Sequence, residues 1–283
     1  SQVRILALDV DPWSLAPTVN PLVRSPRRVN LWRETVSMGT APDYTDVREQ
    51  MVEEGDGGGR LAGAAPRAGK SVLLSNWIVA LALDPTAHLH IIDGSAVDFS
   101  PVESIADTFV GDPKLKDEEI LLAAHATVKK LIAECNRRKP ILFQYGTNKL
   151  NETISDKHNL GTHWYINDEL AAITSVLIGR FKKEVEAFQA DLLWLISNGP
   201  KYGVFCILAT QRPNEKVIPP EMKDLILLRT ALYIPSDSGS RAILSQSGTS
   251  NRADKLDPNQ KGVAISTKAG QYRTHLVEVR DIR

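Results

Sequence analysis

The amino-acid sequence predicts an α/β fold with a mostly parallel central sheet and helices on both faces, and three observations carry that expectation. From about residue 60 onward, strand-like and helix-like stretches alternate. Residues 203–210, Gly-Val-Phe-Cys-Ile-Leu-Ala-Thr, form an apolar run of the kind found in strands covered on both sides. A phosphate-loop pattern at residues 64–71 opens directly into a strongly apolar helix.

Taken in order, residues 3–8 read as a strand, and the stretch to about Asp46 is rich in proline and arginine with few periodic apolar positions. Residues 1–55 are therefore expected to be a partly extended lead-in segment, followed by a glycine-rich hinge at 55–60 and a single domain over 56–283. The spacing predicts a helix over 70–83, ended by Asp84-Pro85, and a short buried strand over 88–93. Ile120, Leu121, Ala124, Val128, Leu131, Ile132 and Cys135 recur at three- and four-residue intervals, which predicts a long amphipathic helix over 117–138. A strand over 163–168, a helix around 181–197, the strand over 203–210 and a closing pair of strands between about 262 and 279 complete the pattern.

The chain has 283 residues, 42% of them hydrophobic and 24% charged, which excludes disordered and fibrous classes and leaves room for a sizeable core. Lys+Arg and Asp+Glu both number 34, so global charge gives no support for nucleic-acid binding, and any DNA contact has to come from local basic loops. The basic clusters are Lys129-Lys130, Arg137-Arg138-Lys139 and Arg180 with Lys182-Lys183, for each of which a solvated helix face is the plainer account. Cys135 and Cys206 match no metal spacing and read as reduced core thiols of a cytosolic domain. The longest nearly uncharged apolar stretch, 71–83, is too short to cross a bilayer. The start at Ser1 raises the expectation of a fragment, tethered to the membrane through parts outside this chain.

Three constellations carry chemistry. Ala64, Ala65, Pro66, Arg67, Ala68, Gly69, Lys70, Ser71 and Val72 form the nucleotide-contacting set, with alanine at the usual first glycine and Pro66-Arg67 in the usually small middle. In that set the loop N–H groups and the helix N-terminus surround phosphate, Lys70 adds positive charge and the Ser71 hydroxyl binds Mg²⁺. The apolar run 164–167 ends in Asp168-Glu169, where one carboxylate can serve Mg²⁺ and the next can polarise the attacking water; acids favoured by a helix dipole are the alternative. Asp168 is assigned to the metal and Glu169 to the base. The run 207–209 ends in Thr210-Gln211-Arg212-Pro213, which places Gln211 to sense the γ-phosphate or orient water, the alternative being a polar loop after a strand.

The order of phosphate loop, Ile91-Ile92-Asp93, Asn136-Arg137-Arg138, Asp168-Glu169-Leu170-Ala171, Ala209-Thr210-Gln211-Arg212-Pro213 and Arg229 followed by Ser240-Arg241-Ala242-Ile243-Leu244 resembles the FtsK/SpoIIIE motor domain from about residue 60 to the C-terminus. Within that family the texture is most similar to the actinobacterial, TraB-like branch that moves plasmid DNA during conjugation. The resemblance implies a RecA-like P-loop ATPase working as a homo-oligomeric ring, usually a hexamer, with ATP between neighbouring subunits and double-stranded DNA gripped non-specifically in the channel. It also makes Arg229 and Arg241 each a candidate to reach a neighbour's γ-phosphate as a trans finger, with a surface salt bridge as the alternative for either. The winged-helix module of chromosome-segregating members does not follow the Gln-Arg-Pro strand end, so sequence-directed motion is not implied. The functional expectation is an ATP-dependent DNA translocase for plasmid transfer or chromosome partition; the alternative is the ATPase of a type VII protein secretion system, which has the same fold.

Overall fold

The computed structural model describes residues 16–52, 59–94, 98–245 and 252–277. The strand expected at 3–8 and most of the 55–60 hinge lie outside the described residues. The chain opens with a short helix α1 (Pro21–Arg24) and two strands, β1 (Thr35–Thr40) and β2 (Asp46–Gln50). The strand β3 (Arg60–Gly63) leads through the phosphate loop into α2 (Lys70–Ala82), then β4 (Ala87–Ile92) and β5 (Thr108–Val110). The long helix α3 (Asp117–Gln144) and the short α4 (Glu152–His158) precede β6 (Thr162–Asn167), α5 (Leu170–Ile173), α6 (Lys182–Asn198) and β7 (Val204–Thr210). The chain continues through α7 (Pro220–Leu225), β8 (Leu228–Leu232) and α8 (Asp237–Leu244) to the hairpin β9 (Val263–Ser266) and β10 (Gly270–Thr274).

All of these strands join one ten-stranded sheet in the order β2-β1-β10-β9-β8-β3-β7-β6-β4-β5. The half from β8 to β5 is parallel, and the half from β2 to β8 pairs antiparallel. Alternate side chains enter two separate cores, as the period of a strand requires. Ile207 and Ala209 of β7, Ala62 of β3 and Trp164 of β6 pack on the α2 side, whereas Cys206, Leu208, Leu61 and Tyr165 pack under α3, α6 and α8. Burial on both faces is why β7 reads as an unbroken apolar run. Both cysteines are buried and free, and burial pushes the Cys135 thiol up to about 12.

Two stretches depart from the sequence reading. Residues 29–52 are built into the sheet and its core: Leu31, Met38 and Met51 are buried, and β1 pairs with both β2 and β10. They escaped the periodicity because charged side chains do part of the packing. Buried Glu49 lies 3.5 Å from the Arg60 guanidinium and accepts from the Trp77 indole at 3.0 Å, while Arg60 also donates to the Gln50 and Met51 carbonyls. The second departure is α3, which runs through Pro140 to Gln144. Its last turns are anchored from beneath: the Arg138 side chain is fully buried, and Leu142 packs with Leu150, Ile154 and Leu160. That packing outweighs the cost of one proline, whose ring points to solvent.

Candidate nucleotide-binding site

The site lies where the parallel strands β3, β6 and β7 end, the position at which an open α/β sheet presents its ligands. The phosphate loop begins with Ala64, which is buried and donates its N–H to the Thr210 carbonyl at 3.2 Å; Ala65 N–H reaches the Tyr233 carbonyl at 2.7 Å. The loop is thus pinned between β7 and the end of β8. Pro66 and Arg67, which depart from the usual loop, occupy a turn closed by Ala68 N–H to the Ala65 carbonyl at 3.2 Å. Arg67 takes the left-handed conformation at φ 66°, so the turn has proline second and a positive φ third, as a type II turn demands. Gly69 follows at φ 115°, where a side chain would be strained, and it caps α2.

Lys70, the first residue of α2, is buried beneath this loop. Its ammonium donates to the Asp168 carbonyl and lies 3.6 Å from Asp168 Oδ2 and 3.5 Å from Glu169 Oε2. Asp168 Oδ1 accepts from the Gly94 N–H at 2.7 Å, and Asp168 Oδ2 is buried with no hydrogen-bond partner. Burial pushes the Asp168 carboxyl up to about 7; Lys70 and the Gly94 amide oppose that rise, and the nearby charges of Asp93 and Glu169 add to it. Glu169 is held at both oxygens, Oε1 by the Thr210 hydroxyl at 2.7 Å and Oε2 by the Gln211 N–H at 2.8 Å. Ser71 Oγ donates to Asp98 Oδ2 at 3.0 Å.

The adjacent carboxylates of Asp168 and Glu169, one of whose oxygens is buried without a hydrogen bond, together with the Ser71 hydroxyl on the turn that carries Lys70, suit a hard divalent cation such as Mg²⁺. Among the described residues no three His, Cys, Asp or Glu side chains converge as a metal cage. That too suits Mg²⁺, which takes one or two carboxylates and completes its shell with water and phosphate.

The loop opens onto a cavity of about 370 Å³. Ala65, Arg67, Gly69, Lys70, Ser71, Val72 and Gln211 line it together with Pro17, Lys261, Gly262, Thr274 and Leu276. Gly262 N–H donates to the Ala68 carbonyl at 3.0 Å, so the β9–β10 hairpin braces the loop. The structure therefore brings together the 64–72 loop, Asp168, Glu169 and Gln211. It does not bring Arg229 or Arg241 to them. Arg229 sits at the start of β8, opposite Leu61 in register and so nearer the far end of the sheet, and donates to the Lys223 carbonyl at 2.9 Å. Arg241 on α8 pairs with Asp237 and borders a second cavity of about 760 Å³, with Pro213, Lys216 and Lys223.

Sequence reasoning missed Asp98, Thr210 as the partner of Glu169, and Pro17, Lys261, Gly262, Thr274 and Leu276 in the cavity lining. Thr210 directly precedes the Gln211 signal and could have been drawn in with it; Asp98, Pro17 and Leu276 carry no local pattern. It also treated Arg137-Arg138-Lys139 as one basic cluster. Arg138 is instead buried, donating to the Leu160, Gly161 and Tyr202 carbonyls, Arg137 pairs with Glu134, and the Lys139 ammonium lies over the Trp194 and Tyr202 rings.

Fold and site together define a RecA-like P-loop ATPase. The chain belongs to the FtsK/SpoIIIE family, whose model matches residues 42–256. It is 30% identical over 213 residues to the DNA translocase FtsK of Halalkalibacterium halodurans, a match covering 69% of this chain and 25% of that protein. The DNA translocase SftA of Bacillus subtilis is 26% identical over 208 residues, covering 70% of this chain and 20% of that protein. The chain thus spans about a quarter or less of the length of these curated relatives. Among solved structures, the pCW3 conjugation coupling protein TcpA with ATPγS aligns at a TM-score of 0.72 and 17% identity, covering 93% of this chain and 71% of that one. The cytoplasmic domain of the type VII secretion ATPase EccC of Thermomonospora curvata aligns at 0.69 and 20%, covering 98% and 33%. At such identities these two likenesses speak for the fold alone. No helix of the described residues is long and apolar enough to cross a membrane.

Proposed function

We propose that this chain is the ATP-hydrolysing motor of a double-stranded DNA translocase that works as a homo-oligomeric ring, hexameric by family resemblance, for plasmid transfer or chromosome partition. The observation that carries this reading is the convergence of Lys70, Asp168 and Glu169 beneath the phosphate loop, with the Gln211 amide bonded to Glu169. In this reading the loop amides and the Lys70 ammonium hold the phosphates of ATP, releasing Lys70 from its present carboxylate partners. Ser71 Oγ and Asp168 Oδ2 hold Mg²⁺, which when bound supplies positive charge against the phosphate oxygens. Glu169, fixed by Thr210 and Gln211, orients a water and accepts its proton. The Gln211 backbone N–H holds that base and Gln211 borders the cavity, so a change at the phosphate would be passed to the chain that follows β7. Arg229 and Arg241 are the candidates to complete a neighbour's site.

DNA contact is non-specific and directed at phosphates, through basic loops on a chain with no net charge. The test is ATP turnover by the purified chain with and without long double-stranded DNA at low and moderate salt, beside Lys70→Ala. Turnover that depends on Lys70, rises with DNA and loses that rise at higher salt supports the motor. Lys70-dependent turnover indifferent to DNA transfers the reading to a protein secretion ATPase, and turnover unaffected by Lys70→Ala refutes the site.

A further inference from the structure

The cavity at the phosphate loop is also lined by Pro17 and Leu276, which belong to a seam between the first and last described stretches of the chain. Leu276 N–H donates to the Thr18 carbonyl at 2.8 Å, Asn20 N–H donates to the Leu276 carbonyl at 3.1 Å, and Val19 and Leu276 form a parallel bridge. A polar cluster bolts this seam down. One ring nitrogen of buried His275 shares a hydrogen bond with Thr18 Oγ1 at 2.7 Å and the other with Ser37 Oγ at 2.6 Å. Asn76 of α2 donates to the His275 carbonyl at 2.9 Å and accepts from the Asn20 amide at 2.6 Å.

Above this network Leu276 remains 44% exposed, and with Pro17 it borders the same cavity as the phosphate loop, across from Val72 on the first turn of α2. An apolar slot continuous with a phosphate cradle has the shape and chemistry to take the flat, weakly polar base of a nucleotide whose phosphates reach Lys70. Burying the exposed face of Leu276 under an aromatic ring is favourable. The slot exists only while residues 17–20 lie docked on residues 275–276.

We propose that the Pro17–Leu276 seam holds the base of the bound nucleotide, so that nucleotide occupancy and docking of the N-terminal segment stabilise each other. The inference rests on the reading of this cavity as the ATP site and adds a regulatory consequence. Anything that pulls the N-terminal segment away weakens nucleotide binding, and nucleotide in turn holds that segment in place, since coupling between two equilibria is reciprocal.

Two probes separate the halves of the site: ATPγS, which has a base, and inorganic tripolyphosphate, which has none. On the full chain, saturating ATPγS is expected to slow amide hydrogen exchange at Asn20 and Leu276 several-fold, and saturating tripolyphosphate to leave it unchanged. Leu276→Ala, which keeps the backbone bonds of the seam, is expected to weaken ATPγS binding about three- to tenfold while leaving tripolyphosphate affinity alone; Pro17→Ala is the second variant should Leu276→Ala lower stability. Lys70→Ala weakens both ligands. Equal slowing by both ligands, or no slowing by ATPγS whose binding still depends on Lys70, overturns the inference and leaves the ATP-site reading standing. ATPγS binding indifferent to Lys70→Ala overturns that reading and the inference with it.

Discussion

Glu169 shows how much of this site is arranged by single hydrogen bonds. Its two oxygens accept from the Thr210 hydroxyl and the Gln211 amide, so the carboxylate cannot rotate without breaking one of them. Glutamine at this position keeps the size and removes the charge, and can still bond both neighbours, its oxygen accepting from the Gln211 N–H and its nitrogen donating to the Thr210 hydroxyl. Glu169→Gln is expected to lower turnover by about 10²–10⁴-fold while ATP binding is retained, as measured by steady-state hydrolysis beside equilibrium nucleotide binding. Undiminished turnover would remove Glu169 from the role of base. Asp168 sits differently: its Oδ2 is buried without a hydrogen bond, 3.6 Å from the Lys70 ammonium, and is the oxygen proposed to hold a cation. Adjacent acids with the same chemistry thus diverge through environment alone.

Among the elements, α3 and the β4–β6 pair hold the end of the sheet remote from the phosphate loop. Arg138 of α3 ties that helix to the turns before β6 and β7 through three carbonyls, with Glu134 as its counter-ion at 2.6 Å. Arg138→Met leaves those three buried acceptors without their donor and takes from Glu134 one of its two arginine partners, and is expected to cost on the order of 3–5 kcal/mol, read as a lower denaturant midpoint; a loss below about 1 kcal/mol would contradict this account. Beside it His88, His90 and His163 stack, with the His90 and His163 rings 3.0 Å apart at their nitrogens.

Burial holds His90 at about 4 and His163 at about 3, the positive Arg138 adding to the second shift. An unfolded histidine takes up its proton near pH 6.5, so between about pH 6.5 and 4 the unfolded state binds more protons than the folded one and stability falls as pH falls. Melts from pH 7 to 4.5 are expected to show a loss on the order of a few kcal/mol, and His90→Gln to flatten it. Glu134 works in a lower window: burial pushes its carboxyl up, but the hydrogen bonds from Arg137 and Arg138 prevail and bring it to about 2. Its contribution is present above about pH 4.5 and is lost only as pH falls toward 2, so the two groups separate in one titration.

At the scale of the whole molecule, the proposed ring would bring an arginine of one copy, Arg229 or Arg241, to the nucleotide site of the next. Arg229 is tied to the Lys223 carbonyl and half-buried, whereas the Arg241 side chain is 62% exposed and its partner Asp237 is shared with Arg252. Exposure and a replaceable partner make Arg241 the better candidate of the two for recruitment by a neighbour in the proposed ring. Arg241→Ala is expected to reduce turnover about 10³-fold or more. Mixing it with the equally inactive Lys70→Ala is expected to restore part of the activity, because some interfaces then carry an intact loop from one subunit and an intact arginine from the other. Mixtures that stay inactive, or single variants that act additively, would place Arg241 outside the site.

Most of the parallel half of the sheet was legible in the sequence, because β4, β6, β7 and the helices α2, α3 and α6 carry their apolar period within a few residues. The phosphate loop, Asp168-Glu169 and Gln211 were legible for a related reason: each sits at the end of such an element, where the chain itself sets the geometry. Sequence alone therefore determined the fold class, the family and the loop, acids and glutamine that the fold brings together. Tertiary structure decided the partnerships between distant stretches: Asp98 on Ser71, Thr210 on Glu169, Arg138 on three carbonyls, and the docking of residues 17–20 on residues 275–276. Those pairings join residues 22 to 257 positions apart, and no local period records them. It also decided that residues 29–52 belong to the sheet, since a buried Glu49–Arg60–Trp77 contact replaces the apolar alternation by which a strand is recognised. A charge becomes part of a core only when its partner arrives from elsewhere in the chain, and that meeting exists only in the folded molecule.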